Sequence, residues 1–135
     1  MRRTDPTLLV RPTVLVAEPD DGLRGVLEGW LSQHDYRVVA VEDGQQIFDY
    51  LALAARSAGR VPFPRLVLCE VELAGCSGLA TCLRLRARAR QLPVVMITAA
   101  NDVVSQRAAL LAGACDLIRK PLHADEVLGT VALFS

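Results

Sequence analysis

Apolar and polar positions follow two rhythms along this chain. Short unbroken apolar runs, as strands buried on both faces require, are each followed by a longer stretch with apolar residues three and four apart, as one-sided helices require. The runs cover residues 13–18, 36–41, 66–70, 93–98 and 115–119. Behind the first, Asp20 is a suitable helix N-cap, and Leu23, Val26, Leu27, Trp30 and Leu31 fall at helical spacing. Asp43-Gly44 punctuates the chain before Ile47, Phe48, Leu51 and Leu53 mark a second helix, with a loop or frayed helix end over 54–64 because of Gly59, Pro62 and Pro64. A third helix is predicted over 79–90. A fourth is capped by Asn101 or Asp102 and ended by Gly113, and a fifth covers 125–134. Five β-α units with short connections imply an α/β fold, a doubly wound parallel sheet with helices on both faces. Right-handed crossovers favour the strand order 2-1-3-4-5. Residues 1–12 read as an N-terminal extension and 13–135 as a single domain.

In such a sheet, ligands bind in the crevice beyond the carboxyl ends of the strands, and strands one and three meet at the switch point. The residues at those ends carry chemistry. The first run leads into Glu18-Pro19-Asp20-Asp21, the third ends on Glu70, the fourth on Thr98, and the fifth leads to Lys120-Pro121. Lys120 is the only lysine, against fourteen arginines. That bias has a genomic flavour, and it singles out the one position that kept an amine.

These motifs together resemble the receiver domain of two-component response regulators. The resemblance rests on V-L-V-A-E-P-D-D, L-V-L-C-E-V-E-L-A-G-C-S-G-L, P-V-V-M-I-T-A and A-G-A-C-D-L-I-R-K-P-L, in that order and at these spacings. It implies a CheY-like fold in which a histidine kinase passes a phosphoryl group to an acid at the tip of strand three, matched here by Glu70. It also implies a magnesium-holding acid pair matched by Glu18 and Pro19, and a hydroxyl matched by Thr98 with small Ala99 behind it. The phosphoryl-contacting lysine is matched by Lys120, with a cis bond to Pro121, and the aromatic switch by Leu117.

The centre of the site departs from that pattern. Phosphoryl transfer needs in-line geometry and cations to neutralise developing charge. Glu70 is one methylene longer than the usual aspartate. Pro19 removes a carboxylate and a backbone donor. Octahedral magnesium is exacting about its ligands, and Asp20 lies one residue beyond the matched pair. With Glu18, Glu70 and Lys120 the site carries a charge of about −1, a smaller incentive to bind a dication than the usual −2. The expectation is a degenerate receiver with no cofactor, in which Glu18, Asp20 and Glu70 are only weak metal candidates. Two readings of Glu70 stand open. It mimics the phosphorylated state through bonds to Thr98 and Lys120, or it forms a plain ion pair with Lys120. The second is favoured, since Leu117 supplies no aromatic rotor. A receiver still phosphorylated through Glu18 and Asp20 is the alternative. A flavodoxin-like cofactor-binding enzyme is the alternative from another class, and it fits poorly, because the loop after strand one is acidic where phosphate needs donors.

Composition narrows the rest. Zero formal net charge gives no electrostatic footprint for nucleic acid or an anionic membrane, and no apolar run approaches a membrane span. Cys69, Cys76, Cys82 and Cys115 have no C-x-x-C spacing, and they read as buried or half-buried thiols of a cytoplasmic protein. Trp30, Phe48 and Tyr50 read as core or half-core, and His34 and His123 as surface, with His123 able to cap the last helix. Arg84, Arg86, Arg88 and Arg90 form two stripes on the third helix, read as a solvated face. The expected function is a non-enzymatic signalling module that meets protein partners, a homodimer among them, through helix four, strand five and helix five. Arg107, Asp116, Arg119, Asp125 and Glu126 lie on or near that face.

Overall fold

The computed structural model describes residues 11–135 except Ala74, Cys76 and Asp102, with the side chain of Val104 also outside the description. Most of the expected N-terminal extension, the cap expected at Asp102 and the thiol of Cys76 therefore lie outside the described residues. Five strands alternate with five helices: β1 (Thr13–Ala17), α1 (Asp21–Gln33), β2 (Arg37–Val41), α2 (Gly44–Arg56), β3 (Leu66–Glu70), α3 (Gly78–Arg88), β4 (Val94–Thr98), α4 (Val103–Leu111), β5 (Asp116–Arg119) and α5 (Ala124–Phe134). All strand pairs are parallel, in the order β2-β1-β3-β4-β5. This is the expected doubly wound arrangement.

The alternation of side chains along each strand divides the core in two. Leu15, Ala17, Val67, Cys69, Val94 and Met96 pack with Ile47 and Phe48 of α2 and Cys82 and Leu85 of α3. Val14, Val16, Leu66, Leu68, Val95 and Ile97 pack with Leu27 and Leu31 of α1 and Val127 and Val131 of α5. The central strands β1, β3 and β4 are buried along their whole length, which is why they read as unbroken apolar runs.

Caps fix the helix starts. The Leu23 amide donates to Asp20 Oδ1 at 2.8 Å, and Ser77 Oγ accepts from the Ala80 amide at 3.1 Å. Asp43 and Gln46 form a reciprocal capping box. That box and the buried Ala54 carry α2 to Arg56, three residues into the stretch expected to be a loop or frayed end. His123 holds the N-cap position of α5, but its side chain makes no capping hydrogen bond. Gly113 (φ +100°) ends the α4 turn in a left-handed conformation that favours glycine.

The arginines of α3 are not a simple solvated face. The Arg84 guanidinium lies 4.1 Å from the centroid of the buried Phe48 ring, and that of Arg88 5.7 Å. Arg86 folds along Gly113 and donates to the carbonyls of Arg90 (3.0 Å) and Ala89 (3.3 Å), closing the C-terminus of its own helix. Only Arg88 and Arg90 remain exposed.

Candidate functional site

Three charged residues meet at the carboxyl ends of β1, β3 and β5. Glu18 follows β1 directly and is 1% exposed, and Glu70 closes β3 at 4%. Lys120 follows β5 and reaches between them. Its Nζ lies 3.2 Å from Glu18 Oε1 and 3.4 Å from Glu70 Oε1. Glu18 Oε2 accepts from the Asp20 amide at 3.0 Å, whereas Glu70 Oε2 is buried without a hydrogen bond. The peptide bond between Lys120 and Pro121 is cis.

Strand parity explains who meets whom. Glu18, Glu70 and Lys120 continue the alternation of Val16, Leu68 and Ile118, which face α1 and α5. Thr98 continues that of Val94 and Met96, which face the opposite side. In register, Glu70 stands opposite Ile97. Thr98 is buried, and its hydroxyl accepts from the Ala100 amide at 3.0 Å, with no hydrogen bond to Glu70. Of the two bonds that mimicry of a phosphorylated state calls for, from Glu70 to Lys120 and to Thr98, only the one to Lys120 is present.

The other sequence candidates are placed as follows. Pro19 and Asp20 are exposed, and the Asp20 carboxylate is turned to cap α1. Ala99, Leu117, Lys120 and Pro121 line a polar crevice of about 780 Å³ with Asn101 and Arg119. Leu117 packs against the core on the α2–α3 side. Asp116 accepts from the Leu117 amide at 2.8 Å, and Arg119 donates to Asn101 Oδ1 at 2.8 Å. Cys69 and Cys82 are buried and Cys115 half-buried, and the Cys69 thiol donates to the Glu70 carbonyl at 3.6 Å. Among the described residues, no three His, Cys, Asp or Glu side chains gather as a metal site.

Arg24 was not singled out by sequence reasoning. It pairs with Asp21, lies 3.7 Å from Glu42, and donates to the Glu18 carbonyl at 2.8 Å. It thereby fixes the backbone of the β1–α1 loop. Its one sequence signal is its place one turn inside α1, near the exposed carbonyls of the preceding loop.

Burial raises the Glu70 carboxyl above its ordinary pKa, and the nearby Lys120 ammonium only partly offsets this. Lys120 is itself raised: burial lowers it, but the two carboxylates outweigh that together. A raised carboxyl favours the fold at low pH and costs stability as it ionises. The wild type should therefore lose stability relative to Glu70→Gln as pH rises from the ordinary glutamate range through the elevated folded value, and then level off. Urea unfolding of both proteins across that range measures the difference. A constant difference would contradict the burial argument.

A doubly wound parallel sheet with an acidic crevice and a lysine at its carboxyl end defines a class of signalling domains. The chain matches the response regulator receiver domain over residues 14–132 and belongs to that family, whose setting is two-component signalling. It is 35% identical over 112 residues, 83% of this chain, to the transcriptional regulatory protein AfsQ1 of Streptomyces coelicolor, and 32% identical over 117 residues, 87% of this chain, to AruR of Pseudomonas aeruginosa. It spans 46% of the length of each of these relatives. The receiver domain of NtrX from Brucella abortus superposes with a TM-score of 0.74 at 30% identity, covering 89% of this chain and 95% of that one. No helix among the described residues is long and apolar enough to cross a membrane.

Proposed function

We propose that this receiver works without phosphorylation, as a protein-interaction module whose acidic crevice is closed by its own lysine. The observation that carries the reading is Lys120 Nζ seated between Glu18 and Glu70, at 3.2 and 3.4 Å. An ammonium thus stands between the two carboxylates that remain. Pro19 offers no carboxylate and the Asp20 carboxylate is committed to capping α1, so the residues present do not fit an octahedral magnesium ion. Glu70 takes the phosphoacceptor position, and the absent Thr98 bond favours a structural ion pair over mimicry of a phosphorylated state. Glu18, Pro19, Asp20, Thr98, Ala99, Leu117, Lys120 and Pro121 are then relics of the phosphorylation machinery with structural roles.

The partner surface we assign is α4–β5–α5. Val103, Leu110 and Leu111 of α4 and Leu133 of α5 are exposed apolar residues on it, flanked by exposed Arg107, Arg119, Asp125 and Glu126. Apolar anchors ringed by mixed charge suit a protein partner or a second copy of the chain.

The test is an amide NMR titration with magnesium, with and without beryllofluoride as a phosphoryl mimic. The wild type should show no saturable shift at Glu18, Glu70 or Thr98. The double variant Pro19→Asp/Glu70→Asp should gain one. Saturable wild-type shifts spreading to β5 would refute the reading and restore an active receiver.

A further inference from the structure

A second cleft lies at the opposite end of the sheet from Glu70, where β3 and β4 begin. Its volume is about 500 Å³, within the range of small-molecule sites. Phe63 and Arg65 form one wall, and Arg88, Arg90, Gln91 and Pro93 the other. No carboxylate lines it among the described residues, and none of its arginines has a salt-bridge partner among them. Arg65, Arg88 and Arg90 thus line one concavity on a chain of zero formal net charge, with the Arg88 guanidinium turned toward Phe48. Phe63 stays 52% exposed beside them.

Both walls are fastened. The Tyr50 hydroxyl donates to the Pro62 carbonyl at 2.6 Å, the Val61 amide to Ser57 Oγ at 2.9 Å, and the Arg65 amide to the Thr13 carbonyl at 2.8 Å. Opposite, Arg86 holds the Ala89 and Arg90 carbonyls, and the Pro93 carbonyl accepts from the Val67 amide at 3.0 Å. Arg86 also occupies acceptors at the negative end of α3 that would otherwise oppose an anion. The cleft is therefore formed before any ligand arrives, which lowers the cost of binding.

We propose that this cleft binds a small anionic aromatic ligand of the nucleoside diphosphate class. The ring lies on Phe63, and the phosphates are gripped by Arg65 and Arg90. Guanidinium groups suit phosphate oxygens through paired N–H donors, and an exposed aromatic face suits a base. This site does not depend on the reading of the acidic crevice.

The probes are ADP, inorganic pyrophosphate and adenosine, titrated separately into the full chain and followed by amide NMR. ADP should give saturable shifts at Phe63, Arg65 and Gln91. Pyrophosphate should bind about tenfold or more weakly for want of stacking, and adenosine weaker still. Phe63→Ala should bring ADP down to the affinity of pyrophosphate. Arg65→Gln and Arg90→Gln should weaken both anions. Each changes an exposed side chain, so the fold should survive. No saturable shift with millimolar ADP would overturn the proposal, as would equal affinity for ADP and pyrophosphate. Shifts confined to Glu18, Thr98 and Lys120 would overturn it too, by locating the ligand in the other crevice.

Discussion

Lys120→Met should destabilise the fold by about 3 kcal/mol near pH 8, the low end of what removing one partner of a buried ion pair costs. The low end applies because the lysine side chain keeps 25% of its exposure. What remains is the reason for the loss. Glu18 and Glu70 are nearly inaccessible, and without the ammonium they are two like charges with no counterion. The cost should shrink near pH 5, because Glu70, already raised by burial, takes up a proton more readily once Lys120 is gone. Lys120→Arg should fall between wild type and Met, since a planar fork does not reproduce a point charge placed between two carboxylates. Urea unfolding at both pH values measures all three proteins. A Met variant equally stable at both would show that the triad is not electrostatically coupled.

Gly78→Ala should cost about 3 kcal/mol, toward the upper end for overpacking a rigid site. A Cβ at this position would sit 2.1 Å from the Glu70 carbonyl oxygen and 2.8 Å from the Val71 Cα. Both are backbone atoms, so no rotamer change relieves the clash. The Gly78 amide also donates to the Val71 carbonyl at 2.8 Å, so α3 cannot drift away without losing a buried bond. The damage should reach the site, displacing Glu70 at the tip of β3. A melting-temperature drop of several degrees with altered Glu70 and Lys120 resonances is the expected outcome. A shift below one degree would mean that the loop before α3 yields.

The order of strands and helices was legible in the sequence because a sheet covered on both faces writes itself as continuous apolar runs, and Asp20 and Asp43-Gly44 announce the helices that follow them. The crevice was legible because Glu18, Glu70 and Lys120 stand at the carboxyl ends of three of those runs. The Glu70–Thr98 bond that the mimicry reading requires is absent for a reason contained in the parity of the strands. Counting alternate positions from Leu66 and Val94 would have put the two on opposite faces. Other features left no local mark. The clasp of Arg86 on Gly113 joins α3 to the turn after α4, and Arg84 finds Phe48 across two helices. The cleft at Phe63 arises from two loops that are adjacent only because β3 pairs with β4.

The single lysine gives the molecule a built-in chemical probe. Acylating reagents attack the neutral amine, and Nζ of Lys120 is held protonated by two carboxylates and partly covered. Away from the chain terminus, no other side chain offers an ammonium. The rate of acylation at that one position, read by mass mapping of the peptide that carries Lys120, therefore clocks how often the carboxylates release it. Whatever partner or ligand loosens or tightens the crevice should announce itself as a change in that rate, without any engineered label.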